Sequence, residues 1–312
     1  MEGDAEFHAQ LLHTLRLPAL PRVAGGLNWV DTFDVLPESE AFALLERLQS
    51  GRSHVVAALG RNADDRAPPD VVQMSNSLLE YLPEITAVLE SLDRQGKVVT
   101  RKALSFEWAG SFGEAPSLFK CLFIIFELCM VLHSLGVLSY VHGANLVALA
   151  NSASVDALPL LKDASKAFLA SAAYFRCLGA ETLPRWVRRD GLTRFPPELD
   201  EHVAMAFAHL GQAAAQQCSV VAAALGKTKH SLMAKLCAAV VQEAEDCLRC
   251  LQAADPRCER VSRALPTQAA YLRELFGSLA LLHLGQDLAE ANKCGDSIAT
   301  IREGVASRWD NI

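Results

Sequence analysis

From Leu128 to Val155 the chain runs LCMVLHSLGVLSYVHGANLVALANSASV without a lysine, arginine, aspartate or glutamate. A run of this kind has to be hidden from water, in lipid or in protein, and it is long enough for either. Its contents favour protein. It holds two histidines, four serines, two asparagines and two glycines, and neither end carries the positive flank of a membrane span. A helix that is apolar all round is a buried one, so the stretch predicts a central helix of a large helical domain and no transmembrane anchor. The remaining chain can cover it. With 312 residues, 51% of them hydrophobic and 21% charged, a substantial core is available, as one long domain or two ordinary ones. Alanine and leucine are abundant and aromatics scarce, which favours helix over sheet.

Turn and cap signals divide the chain. Residues 1–37 are broken by Pro18, Pro21 and a Gly-Gly pair. Pro37 opens a helical pattern with acidic residues in its first turn, where the helix dipole favours them. RNADDRAPPD (61–70) reads as a surface loop, and a second helix follows to about Leu92, interrupted or kinked near Pro83. Residues 96–110, GKVVTRKALSFEWAG, are β-branched and alternating, and predict the one convincing strand. From Pro116 onward the pattern predicts helices over roughly 116–139, 140–152, 157–179, 198–225, 228–253, 259–292 and 294–312. Gly-, Pro- or Asp-containing turns separate most of them. No fixed repeat period stands out.

Several function classes are poorly served by these residues. A net charge of −7 argues against a general nucleic-acid binder. The nine cysteines are an odd number scattered mostly through apolar helical segments, as expected of buried thiols in a reducing compartment. The acidic N-terminus MEGDAEFHAQLLHTL has no signal-peptide core, so a cytosolic location is expected. Cys247 and Cys250 have the spacing of half a zinc site, but no second pair accompanies them and no metal is expected. No HExxH, GxSxG, GxGxxG or GxxxxGK occurs, so no cofactor, small-molecule substrate or catalytic residue is assigned.

Two stretches ask for a surface partner. In GKTKHSLMAKLC (226–237) and the turns that follow, Leu232, Met233, Leu236, Cys237, Val240 and Val241 spread over about half of a helical circle. That is more apolar arc than a helix covering a single core requires. In RCLGAETLPRWVRRDGLTR, arginines surround Trp186. Arg185, Trp186, Arg188 and Arg189 are candidates for contact with an anionic surface, acidic protein or lipid headgroups.

The segments ALSFEWAGSF (103–112), LFKCLFIIFELCMVL (118–132), LLKDASKAFLASAAYFRCL (160–178), LGQAAAQQC (210–218), HSLMAKL (230–236) and HLGQDLAEANKCGDSIATIREG (283–304) occur in the order and spacing of a known family. Together they resemble the BRO-type domain of endosomal sorting (ESCRT) adaptors, Alix-like and most similar to Brox at the Lys-Cys-Gly turn. Trp108 and Phe112 stand in the aromatic-x-Trp-x-x-Phe segment, whereas Glu127 and Gln217 replace an Asn and a Glu of the family pattern. The likeness runs from about residue 70 to 312. Residues 1–70 form a divergent N-terminal segment of the domain, and 71–312 the BRO-type helical domain proper. The C-terminal end is short for the family and carries no prenylation box.

The resemblance implies a mainly all-α, elongated, boomerang-shaped domain with a tetratricopeptide-like core and a small N-terminal β element. It implies a non-enzymatic adaptor, cytoplasmic and peripheral to endosomal membranes. Its concave face would receive an amphipathic C-terminal helix of an ESCRT-III subunit of the charged multivesicular body protein type. Leu232 and Leu236 fall on the family's apolar patch, Ser219 on its third position with Val220 beside it, and Asp156 on an acidic patch position. The alternative is a scaffold of the same fold with a different, non-ESCRT-III partner, for which Ser219, Glu127 and the early C-terminus speak.

Overall fold

The computed structural model describes residues 12, 14–15, 20–25, 27–60, 70–95, 104–111, 118–152, 156–190, 196–254 and 264–306. Strands β1 (Arg22–Val23), β2 (Phe106–Ala109) and β3 (Phe119–Cys121) form one antiparallel sheet in that order, with Arg22 opposite Ala109 and Phe106 opposite Cys121. The helices are α1 (Trp29–Thr32), α2 (Glu40–Leu59), α3 (Val71–Gln95), α4 (Ile124–Ala150), α5 (Ala157–Arg176), α6 (Leu183–Asp190), α7 (Glu201–Leu225), α8 (His230–Ala253), α9 (Ala264–Glu290) and α10 (Cys294–Ala306). A π turn, Cys177–Thr182, joins α5 to α6. Helix starts are set by short polar side chains that accept a backbone N–H: Ser39 from Phe42, Asp70 from Val72 and Gln73, Asp200 from His202 and Val203.

The charge-free stretch forms most of α4. Every residue from Cys129 to Leu138 is buried. Among the described residues α4 is the one helix long and apolar enough to cross a membrane, and protein covers it. Burial pushes the His133 imidazole down to about 3, so it stays neutral at ordinary pH, with Phe175 edge-on at 5.8 Å.

The expected break at 139/140 is absent, because α4 runs through it. Its glycines serve close approach instead. A Cβ on Gly136 would stand 2.7 Å from the Phe175 ring, and one on Gly143 would stand 2.8 Å from the Phe168 ring. Ser171 of α5 donates to the Gly136 carbonyl at 2.7 Å. The helix expected from residue 116 starts at Ile124. Before it, residues 119–121 pair with β2 and place Cys121 inside and Lys120 outside, where Lys120 meets Glu107 at 3.2 Å. Only Phe106–Ala109 of the expected strand 96–110 is seen as strand, and residues 96–103 and Phe112 lie outside the described residues. Helix α3 continues through Pro83.

A buried ion pair fastens the sheet layer to α4. Arg52 of α2 donates to Glu127 of α4 at 2.9 Å, and both side chains are almost wholly buried. Tyr81 of α3 donates to the same carboxylate oxygen at 3.2 Å, and Trp108 of β2 donates to the other at 2.5 Å. Glu127 therefore accepts from three different elements. Burial, and next the charge of Glu127, push the Tyr81 phenol well above its usual value. Beyond α4 the helices stack in chain order, α4 on α5, α5 on α7, α7 on α8, α8 on α9 and α9 on α10. One contiguous core extends from Leu15 and Trp29 to Phe276 and Leu279.

Candidate partner-binding face

Helix α7 is buried almost all round. From His202 to Ser219 every residue is buried except His202, Met205, His209, Gln212, Gln216 and Ser219. Their alternating spacing of three and four draws a single narrow stripe along the helix. Helix α8 has a matching stripe, Leu232, Leu236, Ala239, Glu243 and Asp246, beside its core row of Met233, Cys237, Val240, Ala244 and Cys247. The two stripes open on the same side, since His209 Nδ1 and Glu243 Oε2 meet across them at 2.8 Å.

The third wall comes from α5. Ser165 of α5 donates to Ala215 of α7 at 3.5 Å, while Ser171 faces α4. At about 100° per residue, Leu158, Lys162 and Leu169 lie within about 60° of Ser165, on the side turned away from Ser171. Leu158 and Leu169 are exposed. Leu158 and Leu232 both lie towards the end of α7 that holds Ser219.

The sequence-predicted residues divide on this face. Leu232 is 49% exposed, and Leu236 is half-buried against the core. Ser219 borders them, with its hydroxyl donating to Ala215 at 3.2 Å. Val220 does not belong to the face, for it is fully buried one position round the helix. Asp156 is exposed at the start of α5, where its carboxylate accepts from the Leu158 amide at 3.2 Å and caps the helix. The broad apolar arc that begins in 226–237 resolves as a division of labour. Met233, Cys237 and Val240 fill the core, Val241 leans on Gly277 of α9, and Leu232 with the outer part of Leu236 is left over.

Farther along α8 the stripe turns polar, a feature that was missed in the sequence. His209 and Glu243 are 20% and 24% exposed, and Asp246 accepts from Gln242 at 3.2 Å and pairs with Arg249. The signal available was the run of polar and small residues at heptad spacing in an otherwise alanine-rich α7. His209, Glu243 and Asp246 bring their ligand atoms within 4.8 Å of one another. The cysteines take no part. Burial pushes the Cys247 thiol up to about 12 and raises Cys250 as well, so both stay protonated at neutral pH and are poor ligands.

The arginine-rich stretch is corrected in one respect. Trp186 is buried, packed at 6.5 Å from Phe123 and 6.3 Å from Phe126, so its ring offers nothing to an anionic surface. The amphipathic turn that places Arg185 in solvent anchors Trp186 on the N-terminus of α4. The Arg188 and Arg189 side chains lie outside the described residues.

A family model described as a BRO1-like domain matches residues 42–307. The chain belongs to the BRO1-like domain family. Solved BRO1 structures share the fold. The ALIX BRO1–CHMP4C complex has a TM-score of 0.70 at 19% identity, covering 96% of this chain and 82% of that one. ALIX in complex with the SIVmac239 PYKEVTEDL late domain gives 0.69 at 17%, over 95% and 40%. A structure describing the basis for endosomal targeting by the Bro1 domain gives 0.66 at 15%, over 95% and 76%. No curated protein matches. The expected mainly helical BRO-type fold with a small N-terminal sheet is thus the observed one.

Proposed function

We propose that this BRO1 protein is a non-enzymatic adaptor acting at the cytoplasmic side of endosomal membranes, and that its α5–α7–α8 face receives the amphipathic C-terminal helix of an ESCRT-III subunit. The observation that carries the reading is Leu232, half-exposed at the end of a stripe that continues through Leu236. A helix whose core row is already filled has no internal use for these side chains, whereas a helix-in-groove partner does. Family membership and the likeness to a BRO1 domain solved with CHMP4C support the choice of partner. Glu127 does not weigh against it, since its carboxylate is spent inside the sheet–α4 junction. Ser219 favours a second reading, a different helical partner, because the third patch position is polar and already bonded to its own helix.

The test is titration of a CHMP4C C-terminal helix, and of a panel of other ESCRT-III tails, against wild type and Leu232→Asp. A buried apolar anchor typically contributes at least ~2 kcal/mol, so affinity should fall about thirtyfold or more. Binding of the panel that is indifferent to Leu232→Asp would sink the docking face.

A further inference from the structure

We propose that the helix received on this face carries a lysine or arginine about seven residues from the apolar side chain that meets Leu236, and that Glu243 is the residue it meets. The inference rests on the docking reading and adds its register and charge.

The stripe of α8 changes character in step with the helical repeat, from Leu232, Leu236 and Ala239 to Glu243 and Asp246. Seven residues at about 1.5 Å each put Glu243 roughly 10 Å beyond Leu236 along the axis. A partner helix lying along α8 has the same rise, so its complementary residue falls at the same separation. The facing stripe of α7 offers glutamines, a serine and a methionine around His209, and no lysine or arginine to neutralise Glu243. Asp246 is already paired with Arg249, which leaves Glu243 as the carboxylate to be answered. Burial does not separate the two, at 24% and 21% exposed, so the pairing with Arg249 is what does. His209 at 2.8 Å holds one of the Glu243 oxygens, and the partial burial of Glu243 makes a charge contact there stronger than one at an open rim.

Double-mutant cycles on the full chain test this, with the CHMP4C C-terminal helix as probe. Each lysine or arginine of the peptide is changed to glutamine, alone and against Glu243→Gln, a variant that still accepts from His209. Glu243→Gln should weaken wild-type peptide about five- to tenfold, and should couple to one peptide cation only. That cation should lie about seven residues from the peptide leucine that couples to Leu236. A Glu243→Lys variant should regain affinity for a peptide with glutamate at the same position. If Leu232→Asp abolishes binding while Glu243→Gln stays within twofold of wild type, the charge register is overturned and the docking face stands. If neither variant matters, both readings fail. Binding that is lost on adding EDTA would also overturn the inference, since the carboxylates would then be holding a metal ion.

Discussion

At the scale of single residues, the most informative side chains are polar ones in apolar surroundings. His133 is neutral inside α4, with its folded value lowered to about 3 from an ordinary value near 6.5. The unfolded chain therefore takes up this proton first as pH falls. The stabilisation is fully present above about pH 6.5 and is lost progressively down to about 3. Between pH 6.5 and 5.0 this one group should remove about 1.6 kcal/mol, the slope approaching 1.36 kcal/mol per unit below the unfolded value. Denaturant titrations at the two values, compared with His133→Gln, should show a shallower slope in the variant whatever its absolute stability. An unchanged slope would mean that protons reach His133 in the folded state. Glu127 poses the converse case. Glu127→Gln keeps the shape but leaves Arg52 buried without its counter-charge, which should cost about 3 kcal/mol or more. Adding Arg52→Met should recover part of that loss, and a double variant as unstable as the sum of the singles would refute the pairing. The sequence showed Glu127 only as a departure from a family pattern. A lone acid and a distant lone arginine carry no signal of their pairing, because 75 residues separate them.

At the scale of elements, what could be read from the chain were the helices with strong apolar periodicity and capped starts. Short strands could not be read. β1 has two residues and β3 three, and such pieces exist only because β2 supplies their hydrogen bonds. Local propensity cannot see a partner 85 residues away. The false break inside α4 has a related cause, since glycine marks both helix ends and close packing, and only the neighbouring helix distinguishes them. Gly143→Ala is a direct probe. Alanine would favour the isolated helix by about 1 kcal/mol. Its Cβ would nevertheless meet a Phe168 ring that is itself buried and cannot retreat. Overpacking of this kind costs about 1–3 kcal/mol, so a net loss of stability is expected by thermal melt. A gain would show that α4 and α5 pack less tightly than the ring contact implies.

At the scale of the whole molecule, the docking face was legible only in part, and the reason is geometric. Leu232 and Leu236 could be placed on one side of α8 from their spacing, but which side faces out is decided by α7 and α9. Val220 and Trp186 show the limit, since one follows the partly exposed Ser219 and the other the exposed Arg185, and both are buried in the core. The same dependence of every element on its neighbour makes a claim about unfolding. Stacked helices alone could melt piecemeal, each contacting only adjacent members. Here α4 is shared. It carries Glu127 for the sheet layer on one side and Gly136 and Gly143 for α5 on the other, within one contiguous core. The two regions should therefore unfold together. Trp29 and Trp108 are fully buried in the sheet layer and Trp186 is buried against the start of α4, so fluorescence reports mainly on that end of the molecule, while far-UV circular dichroism reports mainly on the helices. Their denaturation midpoints should coincide in wild type and move together in Glu127→Gln. A fluorescence midpoint that moves alone would show that the sheet layer opens independently, and that the α5–α7–α8 face can persist without it.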